Sequence, residues 1–137
     1  MKISAGKALA AIILAVITAW AALNLSYNVR LAAGLALGIP SFILLLISRV
    51  HIGKYFAVLP AAKGLATRGI YSKIRHPLYI FIDLVLLGVV LITGLWWLVF
   101  IWGVLVTLHL IYMEKEEAVL LGAFGGKYTE YKKGTWF

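Results

Sequence analysis

The chain has 137 residues, 64% of them hydrophobic and 13% charged, with a net charge of +8 and no cysteine. A soluble domain carries about 45–50% apolar and about 25% charged residues, so the apolar surplus here points to a lipid bilayer. The lack of cysteine excludes a disulfide framework, a thiol nucleophile and a Cys-based zinc site, and cations gathered at the ends of apolar runs read as topology signals and lipid-headgroup partners rather than as a nucleic-acid surface.

The first predicted span is 8–25, preceded by Lys2 and Lys7. It is longer than the ~7–15-residue core of a cleaved signal peptide and passes through Trp20 and Asn24, so a retained helix is predicted. A short loop, Ser26–Arg30, leads to the second span, 31–48. There Gly34 and Gly38 have the small-residue spacing that lets helices approach closely, and Pro40 stands where a kink is tolerated if neighbouring helices satisfy the freed carbonyl.

The middle segment, 49–77, is basic. It holds Arg49, Lys54, Lys63, Arg68, Lys73 and Arg75 with His51 and no acid. Within it, Tyr55-Phe56-Ala57-Val58-Leu59 reads as a short interfacial piece. At its end His76 precedes Pro77, and proline is favoured at the first helical position. His76 is then a candidate N-cap, and the free amides of that first turn suit an anion.

The run 78–113 is twice the ~20 residues that one spanning helix needs. Two spans, 78–92 and 95–112, are predicted to turn at Thr93-Gly94, with Trp96 and Trp97 at the interface. Asp83 and His109 fall at similar depth in that hairpin. Intramembrane ionisable groups are costly and are candidates for function; the competing reading is that the two pair and only fix the packing. From Glu114 onward the chain is charged. Glu114, Lys115, Glu116 and Glu117 continue the helical phase, Gly122, Gly125 and Gly126 break it, and Tyr128, Tyr131 and Trp136 predict a tail that folds back onto the membrane face.

The predicted fold is an all-α integral membrane protein, one domain over 1–137, with about four transmembrane helices and the last two a tight hairpin. Four spans put both termini on one side. Two cations precede the first span, six lie in the middle segment and four in the tail, against Arg30 alone at the opposite turns. Positive loops stay inside, so termini and site are predicted to be cytoplasmic. A Gly-x-Ser-x-Gly elbow, a Walker loop, a dinucleotide fingerprint and zinc-protease spacing are all absent, and no metal site is expected.

Two motifs remain, about 40 residues apart. One is Leu65-x-Thr67-x-Gly69-x-Tyr71-x-x-x-Arg75-His76-Pro77-x-Tyr79; the other is Glu116-Glu117-x-x-Leu120-x-x-x-Phe124-Gly125-x-x-Tyr128-x-x-Tyr131. Together they resemble the isoprenylcysteine carboxyl methyltransferase and phospholipid methyltransferase superfamily, over roughly residues 64–131. The resemblance implies an integral-membrane enzyme using S-adenosylmethionine, with the cytoplasmic tail completing the cofactor pocket. By the family's pattern the cofactor is held by the Leu65 and Ala66 backbone, Tyr71, the turn of His76, Pro77, Leu78 and Tyr79, and Glu116. Glu117 matches the second glutamate of the lipid-methylating branch and joins Asp83 and His109 as a candidate for catalysis. The chemistry is compatible: tyrosine faces suit a sulfonium, a glutamate accepts from hydroxyls or an ammonium, and methyl transfer needs chiefly alignment in a dry site.

The acceptor implied is lipid-like or prenylated and enters from the bilayer. Three positions depart from the pattern. Tyr112 stands where carboxyl-methylating members place an arginine, Phe81 where a glycine is expected, and Gly134-Thr135-Trp136-Phe137 ends the tail. Without the arginine an amine acceptor competes with a carboxylate, and Asp83 is a candidate to steady the amine or take its proton. Two other readings stand beside this one: a relative of NADPH-dependent membrane reductases, which share an Arg-His-Pro-x-Tyr-like element, and a non-catalytic helical membrane protein that keeps the fold.

Overall fold

A computed structural model describes residues 5–55 and 64–136. Of the predicted interfacial piece, Phe56 to Leu59 lie outside the described residues. Five helices and no strand form among them: α1 (Ala5–Asn24), α2 (Tyr27–Ile52), α3 (Pro77–Thr93), α4 (Leu98–Phe124) and α5 (Gly126–Lys133). The all-α prediction holds. Two of these helices, α2 and α4, are long and apolar enough to cross a membrane, and α3 and most of α1 are shorter apolar helices. Large apolar side chains such as Ile13, Phe42, Leu46, Phe100 and Val104 stand exposed around the outside. A soluble monomer rarely shows so much contiguous apolar surface.

Boundaries differ from expectation at both ends of α2 and of α4, and α2 runs past 48 to Ile52. The predicted loop Ser26–Arg30 shrinks, because α2 begins at Tyr27 and the Arg30 amide already donates to Ser26 O (2.9 Å). The Arg30 side chain reaches back and donates to Ala22 O at the end of α1 (3.0 Å), satisfying a carbonyl that the helix end leaves open. The fourth helix starts at Leu98 rather than 95, because Leu95–Trp97 forms the turn, with Leu98 N donating to Leu95 O (2.9 Å). It then continues past 112 to Phe124. Glu114 to Leu121 contain no glycine or proline, Gly122 stays helical against expectation, and only at Gly125, with φ +49°, does the chain leave the helix. The predicted turn at Gly94 forms: its φ of +64° is the left-handed cap that glycine adopts without strain.

The expectation of a tight α3–α4 hairpin needs correction. The hairpin exists, but α3 packs more extensively against α2 than against α4. Small residues explain this. Gly34, Ser41 and Ser48 are the buried positions of α2, seven residues apart, and Gly88 faces them from α3. A Cβ on Gly88 would lie 2.9 Å from Gly34 O and 3.0 Å from Gly38 Cα, so the backbones touch. Pro40 sits inside α2 without ending it. Between α3 and α4, by contrast, Val90, Val99 and Trp102 form a core with Leu86, Leu87, Ala15 and Ala19, and this bulk holds the axes apart. Trp102 Nε1 donates to Asp83 O across that interface (2.9 Å).

Candidate active site

Pro77 is the first residue of α3, and Ile80 N donates to His76 O (3.3 Å), so His76 occupies the N-cap position. Its side chain does not cap the helix. The ring turns toward α4 and lies between two carboxylates, Nδ1 3.7 Å from Glu116 Oε2 and Nε2 3.4 Å from Glu117 Oε1. His76 is 7% exposed. The two motifs therefore meet at one histidine, which reads as a bridge to acids rather than as part of an anion site.

Further bonds lock this junction. Arg75 donates through Nε to Glu117 Oε1 (3.0 Å) and through Nη1 to Thr135 Oγ1 (3.0 Å). Lys132 Nζ donates to the other Glu117 oxygen (2.6 Å). Tyr131 Oη donates to Tyr71 O (2.6 Å), and Trp136 N to Lys73 O (2.9 Å). The tail thus folds back over the segment that precedes α3. That segment is a short 3-10 turn, Gly69–Ser72. It starts at φ +61°, and a Cβ on Gly69 would meet the His51 ring at 2.6 Å, so glycine is needed there on both counts.

Two cavities share the resulting wall. A narrow cleft with about 30 Å³ of free space is lined by Gly64, Leu65, Ala66, Tyr71, His76, Glu116, Tyr128 and Tyr131, among others. Beside it, a cavity of about 600 Å³ lies between α2 (Leu45, Leu46, Arg49, Ile52), α3 (Leu78, Tyr79, Ile82) and α4 (His109, Tyr112, Glu116). Ile52, Tyr71, Arg75, His76 and Glu116 line both. Leu46 and Ile82 on the larger cavity's wall are also exposed on the apolar exterior, so it opens sideways. A third cavity, about 410 Å³, lies across the junction between α1 and α4, with Arg75, His76, Glu114 and Glu117 at its polar end.

The cleft is polar and short of partners. The hydroxyls of Tyr71 and Tyr128 are buried without a hydrogen-bond partner among the described residues. Burial pushes the Tyr131 phenol up to about 12. Burial, reinforced by the Glu116 carboxylate, raises Tyr71 further, and burial likewise raises Tyr128. All three are neutral hydrogen-bonding groups at ordinary pH. Tyr79 and Glu116 both line the larger cavity.

Of the residues predicted to hold a cofactor, Leu65, Ala66, Tyr71, His76 and Glu116 line the cleft, and Leu78 and Tyr79 line the adjoining cavity. Pro77 is fully buried and lines neither. Asp83 and His109 are brought together as their depth predicted, with Nδ1 2.7 Å from Oδ1. His109 lines the larger cavity and Asp83 does not. Glu117 lies on the third cavity instead, held by Arg75, His76 and Lys132. Arg75, Tyr128, Tyr131 and Lys132 were not named as site residues. The first three stand inside the two motifs, a signal that was available; Lys132 carries no pattern that marks it.

A family model described as phospholipid methyltransferase matches residues 29–127. The chain belongs to the phospholipid methyltransferase family. No curated protein and no solved structure matched the chain. Membership implies a membrane methyltransferase. In this member of the phospholipid methyltransferase family the matched stretch starts in α2 and ends in α5, and it takes in His76, Glu116 and both walls of the larger cavity. It leaves out α1 and the two tail tyrosines, Tyr128 and Tyr131, that close the cleft.

Proposed function

We propose that this chain is a multi-pass membrane enzyme that moves a methyl group from S-adenosylmethionine to a lipid-like acceptor, a headgroup amine or a prenylated carboxylate. One observation carries the reading: His76 and Glu116 form a wall common to a polar cleft and to an apolar cavity that opens on the lipid-facing exterior. A donor and a membrane-borne acceptor held on either side of that wall are in range of each other without either leaving its own phase.

The donor set fits the cofactor. Two tyrosine hydroxyls in the cleft, without partners among the described residues, offer bonds to a polar molecule. Glu116 supplies negative charge for a cation, and the rings of Tyr71 and Tyr79 offer π faces. The cleft alone is too small for a nucleoside, so a bound cofactor would also need space on the larger cavity's side. When bound, it supplies an electrophilic methyl group. The chain's own contributions are to hold it and to orient the acceptor. Glu117, with Arg75 and Lys132 around it, keeps His76 and the tail in position. The apolar lining keeps water from the transfer.

Calorimetric titration of the purified protein with S-adenosylmethionine and then with NADPH tests this. Binding of the first alone is expected, and Glu116→Gln should weaken it at least ~10-fold, the loss of a charge-assisted hydrogen bond. NADPH binding would favour a reductase, and binding of neither a non-catalytic protein. The four-span, cytoplasmic-ended topology is part of the same reading. The chain has no cysteine, so single cysteines placed at Lys133 and at Ser26 report their sides to an impermeant thiol reagent. Lys133→Cys should label from the cytoplasmic side and Ser26→Cys from the other.

A further inference from the structure

The pair that α3 and α4 hold between them has an orientation the proposal above does not use. His109 Nδ1 lies 2.7 Å from Asp83 Oδ1. A carboxylate there accepts, so Nδ1 carries the hydrogen, and in the neutral ring Nε2 then carries the lone pair. His109 lines the 600 Å³ cavity, Asp83 does not, and Nε2 has no protein partner among the described residues. Tyr79 packs on the imidazole, ring centroids 5.2 Å apart, and fixes its plane. His76, the other histidine on this cavity, has both nitrogens directed at glutamates. Among the described histidines of the site, one therefore presents a free basic nitrogen to the acceptor's space.

We propose that His109 is the proton acceptor for an ammonium-bearing acceptor, and that Asp83 is its positioning residue. The assignment rests on the methyltransferase reading above. It also moves the role from Asp83 to the residue that faces the cavity. The acceptor's R–NH3+ gives one proton to Nε2, and the nitrogen recovers its lone pair. That pair forms the new N–C bond as the methyl carbon's bond to sulfur breaks. Sulfur keeps the electrons of the broken bond and becomes a neutral thioether, leaving R–NH2+–CH3. The imidazolium is stabilised by Asp83 until its proton is lost to water.

The alternative is that the pair only pins α3 to α4. His109→Gln separates the two, since glutamine still donates to Asp83 but takes up no proton. Expected results with vesicles containing phosphatidylethanolamine are S-adenosylmethionine affinity within about twofold of the parent and methyl transfer down at least ~100-fold. In His109→Gly, added imidazole should restore part of the transfer. A measurement independent of activity is ¹⁵N NMR of histidine-labelled protein, with His109 assigned by its loss in His109→Gln. The parent should hold the proton on Nδ1, and Asp83→Asn should lose that tautomer preference and at least ~10-fold in transfer. Undiminished transfer in His109→Gln, or a proton on Nε2 in the parent, overturns the proposal. Transfer only to a prenylated cysteine carboxylate overturns it too, because a carboxylate needs no base, yet leaves the methyltransferase reading standing. Failure to bind S-adenosylmethionine takes down both.

Discussion

Two histidines, His76 and His109, line one cavity, and they differ in how many neighbours share their carboxylate contacts. At the start of α3, His76 stands between Glu116 and Glu117, and Glu117 also holds Arg75 and Lys132. Inside the α3–α4 hairpin, His109 faces Asp83, and the two side chains are 19% and 15% exposed. The shared cluster spreads its charge over several groups near a helix end. Among the described residues, the hairpin pair shares its ion-pair contact with no third charged group. The difference teaches where redundancy sits: losing one member of the cluster leaves others to compensate, whereas losing one member of the pair strands its partner.

The largest expected effect follows from the pair. His109→Leu leaves the Asp83 carboxylate without its partner; breaking a fully buried pair from one side costs about 3–5 kcal/mol, and this part-buried pair should fall at the low end, about 3 kcal/mol. Unfolding in mixed micelles should register that loss. The double variant Asp83→Leu/His109→Leu should recover most of it, since both polar groups are then gone. A loss under ~1 kcal/mol in the single variant would mean that water reaches the pair, and the contrast with the cluster would vanish.

Arg75→Gln comes next. It removes a charge-assisted bond to Glu117 and a second bond to Thr135, both part-buried. A bond to a charged group contributes about 1.5–3 kcal/mol, and Lys132 remains on Glu117 to offset part of the loss, so about 2 kcal/mol is expected. The distinguishing sign is local. Because Arg75 ties the tail to the segment before α3, amide exchange over Gly126–Lys133 should quicken while α2 and α3 keep their protection.

How far these regions were legible in the sequence follows the same contrast. The hairpin pair was readable, since an acid and a histidine in an apolar run of known length can be set at one depth by counting. So was the meeting of His76 with Glu116, because both stand in motifs with fixed spacing. The clasp of Arg75, Glu117, Lys132 and Thr135 was not, because it joins residues up to 60 apart through a tail whose lysines look like ordinary solvated charge. The α2–α3 seam was half legible. Gly34 and Gly38 announced a close approach, but Gly88, a lone glycine in α3, gave no spacing that named it as the partner. The cavities were hidden for a different reason: each is a gap between helices, set by where bulky and small side chains fall on neighbouring faces, and no single stretch encodes it.

The smallest effect tests whether the cluster is as redundant as its geometry implies. Lys132 is 48% exposed and meets Glu117 at 2.6 Å. An exposed ion pair contributes about 0.2–1 kcal/mol, and salt screens it. Lys132→Ala should therefore cost under ~1 kcal/mol at low salt, and the cost should shrink toward zero at molar salt, where screening acts over about 3 Å. Arg75→Gln, more buried and bonded to a neutral hydroxyl as well, should keep most of its cost at the same salt. If instead Lys132→Ala matches Arg75→Gln and resists salt, the cluster behaves as one unit, each cation as necessary as the next. The contrast with the Asp83–His109 pair would then lie in depth alone.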